Sequence, residues 1–324
     1  MIPREALEGV RKIIVHANGP TSPCADGRAA AIILRHAFRH VRGLEIVEMA
    51  YGSKEHQELK ATPGLLFCDF TPPKERQNEF VEAGAIVLDH HDPELVKPFG
   101  ARGVFGHNEL VESGASLALR ECYKPMINGQ STPFLLKLAR LASVRDTWRK
   151  ADVQWNAACE WSEALRFFAL DDLLSKNEKT LEVMFTMIGG RLVERSMEEA
   201  QELAKTALYV GEVYNRRTRE TPHVYIVPSL KTSDVAELLF TSERSPAILA
   251  GFGFVHEALN DSGAVLVRLV VSLRSRGFDV QELATRHGGG GHQSAAGFQI
   301  HYETPNDRNV QSPYAAIVEA IKTG

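Results

Sequence analysis

The sequence predicts an α/β protein with a mainly parallel-sheet N-terminal domain, a helical connector and a smaller α/β C-terminal domain. Three observations carry this. Short apolar runs alternate with helical stretches over the first part of the chain, which is the βαβ pattern of a parallel sheet. From about residue 156 to residue 210 strand signals are few and helical patterning dominates. Strand-like runs then return. The expected boundaries are 1–155, 156–215 and 216–324.

Residues 3–11 predict a short helix with Pro3 near its start. Lys12-Ile13-Ile14-Val15-His16 is a β-branched run ending in a histidine. A Gly/Pro/Ser-rich loop leads to Cys24-Ala25-Asp26-Gly27, and RAAAIILRHAFRH then predicts a helix by propensity and length. Asp26 and Gly27 thus sit at a helix N-terminus, a favourable place for an anion or a metal-bound phosphate. Residues 44–50 alternate as a second strand. Residues 64–69 form a third apolar run ending at Asp69, and Thr71-Pro72-Pro73 breaks the chain before the helical KERQNEFVEAG. The fourth run, Ala85 to Leu88, stops at Asp89-His90-His91-Asp92-Pro93. In an open α/β sheet, ligands bind at the carboxyl ends of the strands, so each of these runs delivers polar groups to the edge where chemistry occurs.

Ser113 predicts a helix N-cap, and the helix FLLKLARLASVRDTW carries Asp146 near its end. SMEEAQELAKTALYVGEVYN predicts one amphipathic helix inside the connector. Beyond it, HVYIVP, AILAGFGF and AVLVRLVVSLRS predict strands, and SDVAELLF and VQELATRH helices. Arg274 and Arg276 fall at a strand end, where guanidinium groups suit bidentate phosphate contacts. The run Gly288-Gly289-Gly290-Gly291-His292 offers backbone N–H groups to an anion without side-chain obstruction and predicts a phosphate-binding loop.

Composition narrows the function. Hydrophobic content of 44% and charged content of 24% are those of a globular protein. A net charge of -4 and 8% aromatic residues argue against a broad basic face or a stacking groove for long nucleic acid, but allow a local phosphate pocket. Cys24, Cys68, Cys122 and Cys159 lack the spacing of a disulfide framework and predict reduced thiols. No apolar run approaches the roughly 18 residues needed to span a membrane, so the expectation is a cytoplasmic protein. His16, Asp26, Asp69, His90 and Asp146 together have carboxylates in excess of imidazoles, a set suited to a pair of Mn²⁺ or Mg²⁺ ions. Two such ions can activate water and clamp a phosphoryl group.

These residues resemble a known family, the DHH phosphoesterases with a C-terminal DHHA1 domain, among them oligoribonucleases and phosphodiesterases. Asp89-His90-His91 resembles the motif that names the family, and Gly288 to His292 resembles the GGGH signature of DHHA1. The resemblance covers most of the chain and makes the N-terminal domain a DHH domain and the C-terminal one a DHHA1 domain. It implies that His16 and the loop before Gly27 ligate one ion, that Asp69 bridges two, and that Asp26, His90 and Asp146 ligate the second. It further implies that Asp89 supports the motif and that His91 faces the phosphate. The DHHA1 domain would close over the site and hold the substrate through Arg274, Arg276, Gly288–Gly291 and His292. One position departs from the pattern: a cysteine, Cys24, stands where the first motif usually carries an aspartate, a Cys-X-Asp-Gly form similar to that of a subgroup. A thiolate is softer than a carboxylate and favours Zn²⁺ or Fe²⁺ over Mn²⁺ or Mg²⁺. As a ligand it would alter the first metal site, and otherwise it is a small buried hydrophobe.

The resulting expectation is a metal-dependent phosphoesterase, with two Mn²⁺ ions the favoured cofactor. It would hydrolyse short oligonucleotides, dinucleotides or nucleotide-like phosphoesters by a metal-activated water. Alternatives are a polyphosphate or pyrophosphate hydrolase and a catalytically weak nucleotide-binding protein. A homodimer is the default for such an enzyme.

Overall fold

The computed structural model describes residues 2–19, 22–106, 112–127, 131–240, 246–259, 265–304 and 312–323. It is mixed α/β with two sheets, as the sequence predicts. The chain divides into two compact units, Met1–Glu194 and Arg195–Gly324, and the division falls inside the 29-residue helix Glu178–Thr206.

The first unit is built on a six-stranded sheet. Its strands are β1 (Lys12–Gly19), β2 (Ser22–Pro23), β3 (Glu45–Ala50), β4 (Leu65–Cys68), β5 (Ile86–Asp89) and β6 (Gly103–Phe105). Five of them run parallel in the order β3-β1-β4-β5-β6, and β2 folds back antiparallel on β1. The register sets Ile14 beside Phe67 and Cys68 beside Leu88. Strands buried on both faces have near-continuous apolar sequences, and here Ile13, Val15, Leu66 and Leu88 pack on one side while Ile14, Phe67 and Val87 pack on the other. The first side receives the helices Ala25–Ala37, Pro133–Asp146 and Trp155–Phe167. Arg28 ties these parts together. It pairs with both carboxylate oxygens of Glu48, at 2.7 and 2.9 Å, and donates to Leu165 O at 2.8 Å.

The second unit holds another six-stranded sheet. Its strands are β7 (Leu208–Glu212), β8 (His223–Val227), β9 (Ala247–Leu259), β10 (Val265–Arg276), β11 (Gly290–His292) and β12 (Ala295–Thr304), in the order β11-β12-β10-β9-β8-β7. Among the described residues only β8 and β9 of this sheet pair in parallel. Ile248 and Ala250 face a core shared with Leu283, Ile317 and Ile321, while Ala247 and Leu249 face Val235 and Ala236.

Two local expectations are corrected. SMEEAQELAKTALYVGEVYN is not one helix, because the helix ends at Thr206 and Leu208–Glu212 becomes β7. Pairing with β8 prevails there over helical periodicity. The glycine run is not simply a loop, since Gly290–His292 forms β11 against β12. A side chain at Gly291 would lie 2.5 Å from Ala295 O, and one at Gly289 would strike Gly297 O. Close strand packing therefore requires glycine at both positions. Among the described residues no helix is long and apolar enough to cross a membrane.

Candidate metal centre

Three neighbouring parallel strands deliver the polar groups. His16 comes from β1, Asp69 follows β4 directly, and Asp89, His90 and His91 stand at the end of β5. The N-terminus of the helix Ala25–Ala37 adds Cys24, its N-cap, and Asp26 in its first turn. Asp146 is the last residue of the helix Pro133–Asp146. Seven residues named by the sequence thus converge from separate parts of the fold: His16, Cys24, Asp26, Asp69, His90, His91 and Asp146.

Asp69 lies at the centre. Its Oδ2 is 3.4 Å from Cys24 Sγ and 3.6 Å from His16 Nδ1. Its Oδ1 is 3.3 Å from His90 Nε2 and 3.8 Å from His91 Nδ1. His90 Nε2 is also 3.3 Å from Asp146 Oδ2. Asp26 accepts a hydrogen bond from the backbone N–H of Ala115 at 3.2 Å through Oδ1. His16, Cys24 and Asp69 therefore form one set of converging donor atoms, and Asp26, His90 and Asp146 another. Asp89 stands behind them, fully buried, and its Oδ1 holds His91 Nδ1 at 2.7 Å.

The cluster is electrostatically unusual. Asp26 is 2% exposed and Asp69 1%. Asp26 Oδ2, Asp69 Oδ1 and Asp146 Oδ2 are buried and receive no well-aligned hydrogen bond, although His90 Nε2 stands 3.3 Å from the latter two. Burial, reinforced by Asp69 and Asp146, pushes the Asp26 carboxyl well above its usual range. Burial also raises Asp146, with His90 opposing. For Asp69 burial acts in the same direction, but the imidazoles of His16 and His90 set against its two oxygens outweigh it and hold this carboxyl well below the usual range. For His90 burial would lower the pKa, yet Asp69 and Asp146 raise it to about 10. Burial and the three carboxylates Asp69, Asp146 and Asp26 push the Cys24 thiol well above its ordinary value. Buried carboxylate oxygens without well-aligned hydrogen bonds, mixed with imidazole, fit a divalent cation held by oxygen and nitrogen.

Some contributors were not legible in the sequence. Asp69 has φ +57°, the left-handed region in which a non-glycine residue is uncommon. Gly114 lets a helix start approach it, because a side chain there would strike Asp69 Cβ and lie 2.9 Å from Asp26 Oδ2. Tyr51, which follows β3 on the same sheet edge, places its ring 5.5 Å from that of His16.

In the second unit, Arg274 donates from Nε to Ser233 Oγ at 3.0 Å and from Nη1 to Leu273 O at 2.7 Å. Arg276 donates to Phe240 O. Both half-buried guanidinium groups thus make contacts within their own unit. His292 lies on β11 opposite Ala295.

Residues 235–322 match the model of the DHHA1 domain. Over nearly its whole length the chain is similar in fold to RecJ from Thermus thermophilus, determined in complex with Mn²⁺. The TM-score is 0.50 at 18% identity, over 98% of this chain and 54% of that one. The C-terminal part of the chain, residues 235–322, is thus a DHHA1 domain. The chain spans about half the length of the RecJ chain it matches. Looser overlaps are with an exopolyphosphatase-related protein from Bacteroides fragilis (TM-score 0.43, 13% identity, 98% of this chain and 94% of that one) and with PggH, a pGpG-specific phosphodiesterase from Vibrio cholerae (TM-score 0.35, 12% identity, 96% and 99%). Among curated proteins none matches this chain.

Proposed function

We propose that this chain is a DHH/DHHA1 protein and a divalent-metal-dependent phosphoesterase acting on short oligonucleotides, dinucleotides or nucleotide-like phosphoesters. The observation that carries the proposal is the placement of Asp69. One of its carboxylate oxygens faces His16 and Cys24, and the other faces His90, within reach of Asp146. A carboxylate set between two donor groups is what a bridged pair of ions requires. His16, Cys24 and Asp69 would hold one ion, and Asp69, Asp26, His90 and Asp146 the other. Bound ions supply Lewis-acid neutralisation of phosphoryl charge and lower the pKa of water.

The remaining work falls to the chain's own side chains. Asp89 fixes the His91 ring through Nδ1 at 2.7 Å, which sets the direction of Nε2. His91 would donate a proton from Nε2 to the phosphoryl side, a contribution worth about 10²–10⁴-fold in rate. Arg274, Arg276, Gly288–Gly291 and His292 would contact the substrate's phosphate or nucleotide end. The negative net charge and modest aromatic content favour short substrates.

The test is hydrolysis of a 5′-labelled RNA dinucleotide with added Mn²⁺, run beside long single-stranded DNA and polyphosphate, with metal analysis of the protein. Mononucleotide release with about two ions per chain is expected. Turnover of polyphosphate alone would replace the substrate class, and no turnover of any of them would remove the enzymatic reading. His292→Ala should raise KM on the dinucleotide and leave Mn²⁺ affinity unchanged, and an unchanged KM would remove His292 from the substrate contacts.

A further inference from the structure

We propose that Tyr51 and His56 are positioning residues that clamp the backbone of Thr71 and so hold Asp69 in the left-handed conformation that aims its carboxylate at both donor sets. The inference rests on the metal centre proposed above.

The turn after β4 is held on both sides of Asp69. Asp69 donates its N–H to Leu88 O at 2.9 Å and then takes φ +57°. Two residues later, the Thr71 N–H donates to the Tyr51 hydroxyl at 3.0 Å. The Thr71 carbonyl lies 3.1 Å from His56 Nε2. The Tyr51 hydroxyl also lies 3.4 Å from Thr71 Oγ1. Both backbone polar groups of Thr71 are therefore taken by side chains, and Pro72 and Pro73 follow without an N–H between them. Thr71 is 1% exposed, so losing either partner would leave a buried polar group unsatisfied.

The clamp is itself fixed. His56 Nδ1 accepts from the Gly52 N–H at 3.2 Å, so Nε2 carries the hydrogen and donates to Thr71 O. Its backbone N–H donates to Ser53 Oγ at 3.1 Å. Phe70, between Asp69 and Thr71, is buried in an aromatic nest with Tyr51 at 4.3 Å and His56 at 4.9 Å. Strained backbone conformations persist where their surroundings over-determine them. Here the surroundings come from the end of β3 and the short helix Lys54–Gln57, elements that supply no ligand of their own.

The experiment titrates metal-free protein with Mn²⁺ by calorimetry and follows unfolding of the same samples. Wild type is measured first, and absence of Mn²⁺ binding would overturn the proposed centre and the clamp with it. Given binding, Tyr51→Phe, which removes one hydroxyl, and His56→Leu should each lose roughly 10–100-fold in Mn²⁺ affinity, the usual effect of removing an outer partner of a ligand. His56→Gln should recover most of the loss, because its amide can still donate to Thr71 O. Phe80→Leu is the control. It lies in the same core, packs on Phe67 at 5.6 Å and should lower stability without changing affinity. Clamp variants that bind Mn²⁺ like wild type would overturn the clamp alone. So would a Phe80→Leu protein that loses as much affinity as they do, since affinity would then merely follow stability.

Discussion

Asp69→Asn is the sharpest single perturbation of this centre. It changes charge and almost nothing else, because asparagine keeps the size of aspartate and tolerates the left-handed backbone at φ +57°. Alanine would add strain and confuse the result. The substitution removes the one carboxylate that faces both donor sets, at 3.4 and 3.6 Å on one side and 3.3 Å on the other. Ions that bind only the folded state stabilise it by RT ln(1 + [L]/Kd), about 2.7 kcal/mol at a hundredfold excess over Kd. For a unit of 194 residues each kcal/mol moves Tm by about 2–4 °C. Saturating Mn²⁺ should therefore raise the Tm of the wild-type N-terminal unit by roughly 5–11 °C. In Asp69→Asn the rise should vanish, and hydrolysis should vanish with it. Calorimetric scans with and without Mn²⁺ read this directly. A variant whose Tm climbs with Mn²⁺ as far as wild type's would refute the bridging role of Asp69.

Arg28→Ala should cost about 3–5 kcal/mol of stability in denaturant unfolding, because it strands a half-buried Glu48 and releases Leu165 O. A loss under about 1 kcal/mol would mark the pair as no more than a surface salt bridge. Gly114→Ala should overpack against Asp69 and Asp26, costing about 1–3 kcal/mol and weakening Mn²⁺ binding, and normal binding would show that the helix start can retreat freely. Cys24→Asp should shift the preference of the centre from Zn²⁺ toward Mn²⁺ in a competition titration, since a hard oxygen replaces a soft sulfur. An unchanged ratio would leave Cys24 with only its capping role toward the Gly27 N–H.

The sequence made the ligands legible and left their geometry hidden. β1, β4 and β5 lie inside a parallel sheet covered on both faces, so their β-branched runs stand out and their polar ends are easily placed. That rule alone reaches His16, Asp69 and Asp89–His91. β7 escaped it because Ala207-Leu208 extends the helical period of the preceding segment, and only pairing with β8 makes Leu208–Glu212 a strand. Tyr51 stands at a strand end like the ligands, but a tyrosine there looks like an ordinary apolar residue. His56 sits in a four-residue helix with no periodicity to notice. Gly114 is required by a contact with residues 45 and 88 positions away in sequence, Asp69 and Asp26, which no local pattern encodes.

The two donor sets are not equivalent, and this follows from the same residues. Among the described residues, the set at His16 and Cys24 draws its only carboxylate from the shared Asp69, whereas the set at His90 adds Asp26 and Asp146. Filling the second set first neutralises Asp26 and Asp146, the two carboxyls held above their usual range in this cluster. The first ion to bind should therefore be the one beside His90, and Cys24 should govern only the second. Mn²⁺ titration should show two steps of unequal affinity, with Asp146→Asn weakening the tighter step and Cys24→Ala the looser one. A single step of equal sites, or the reverse assignment of the two variants, would contradict this order of filling.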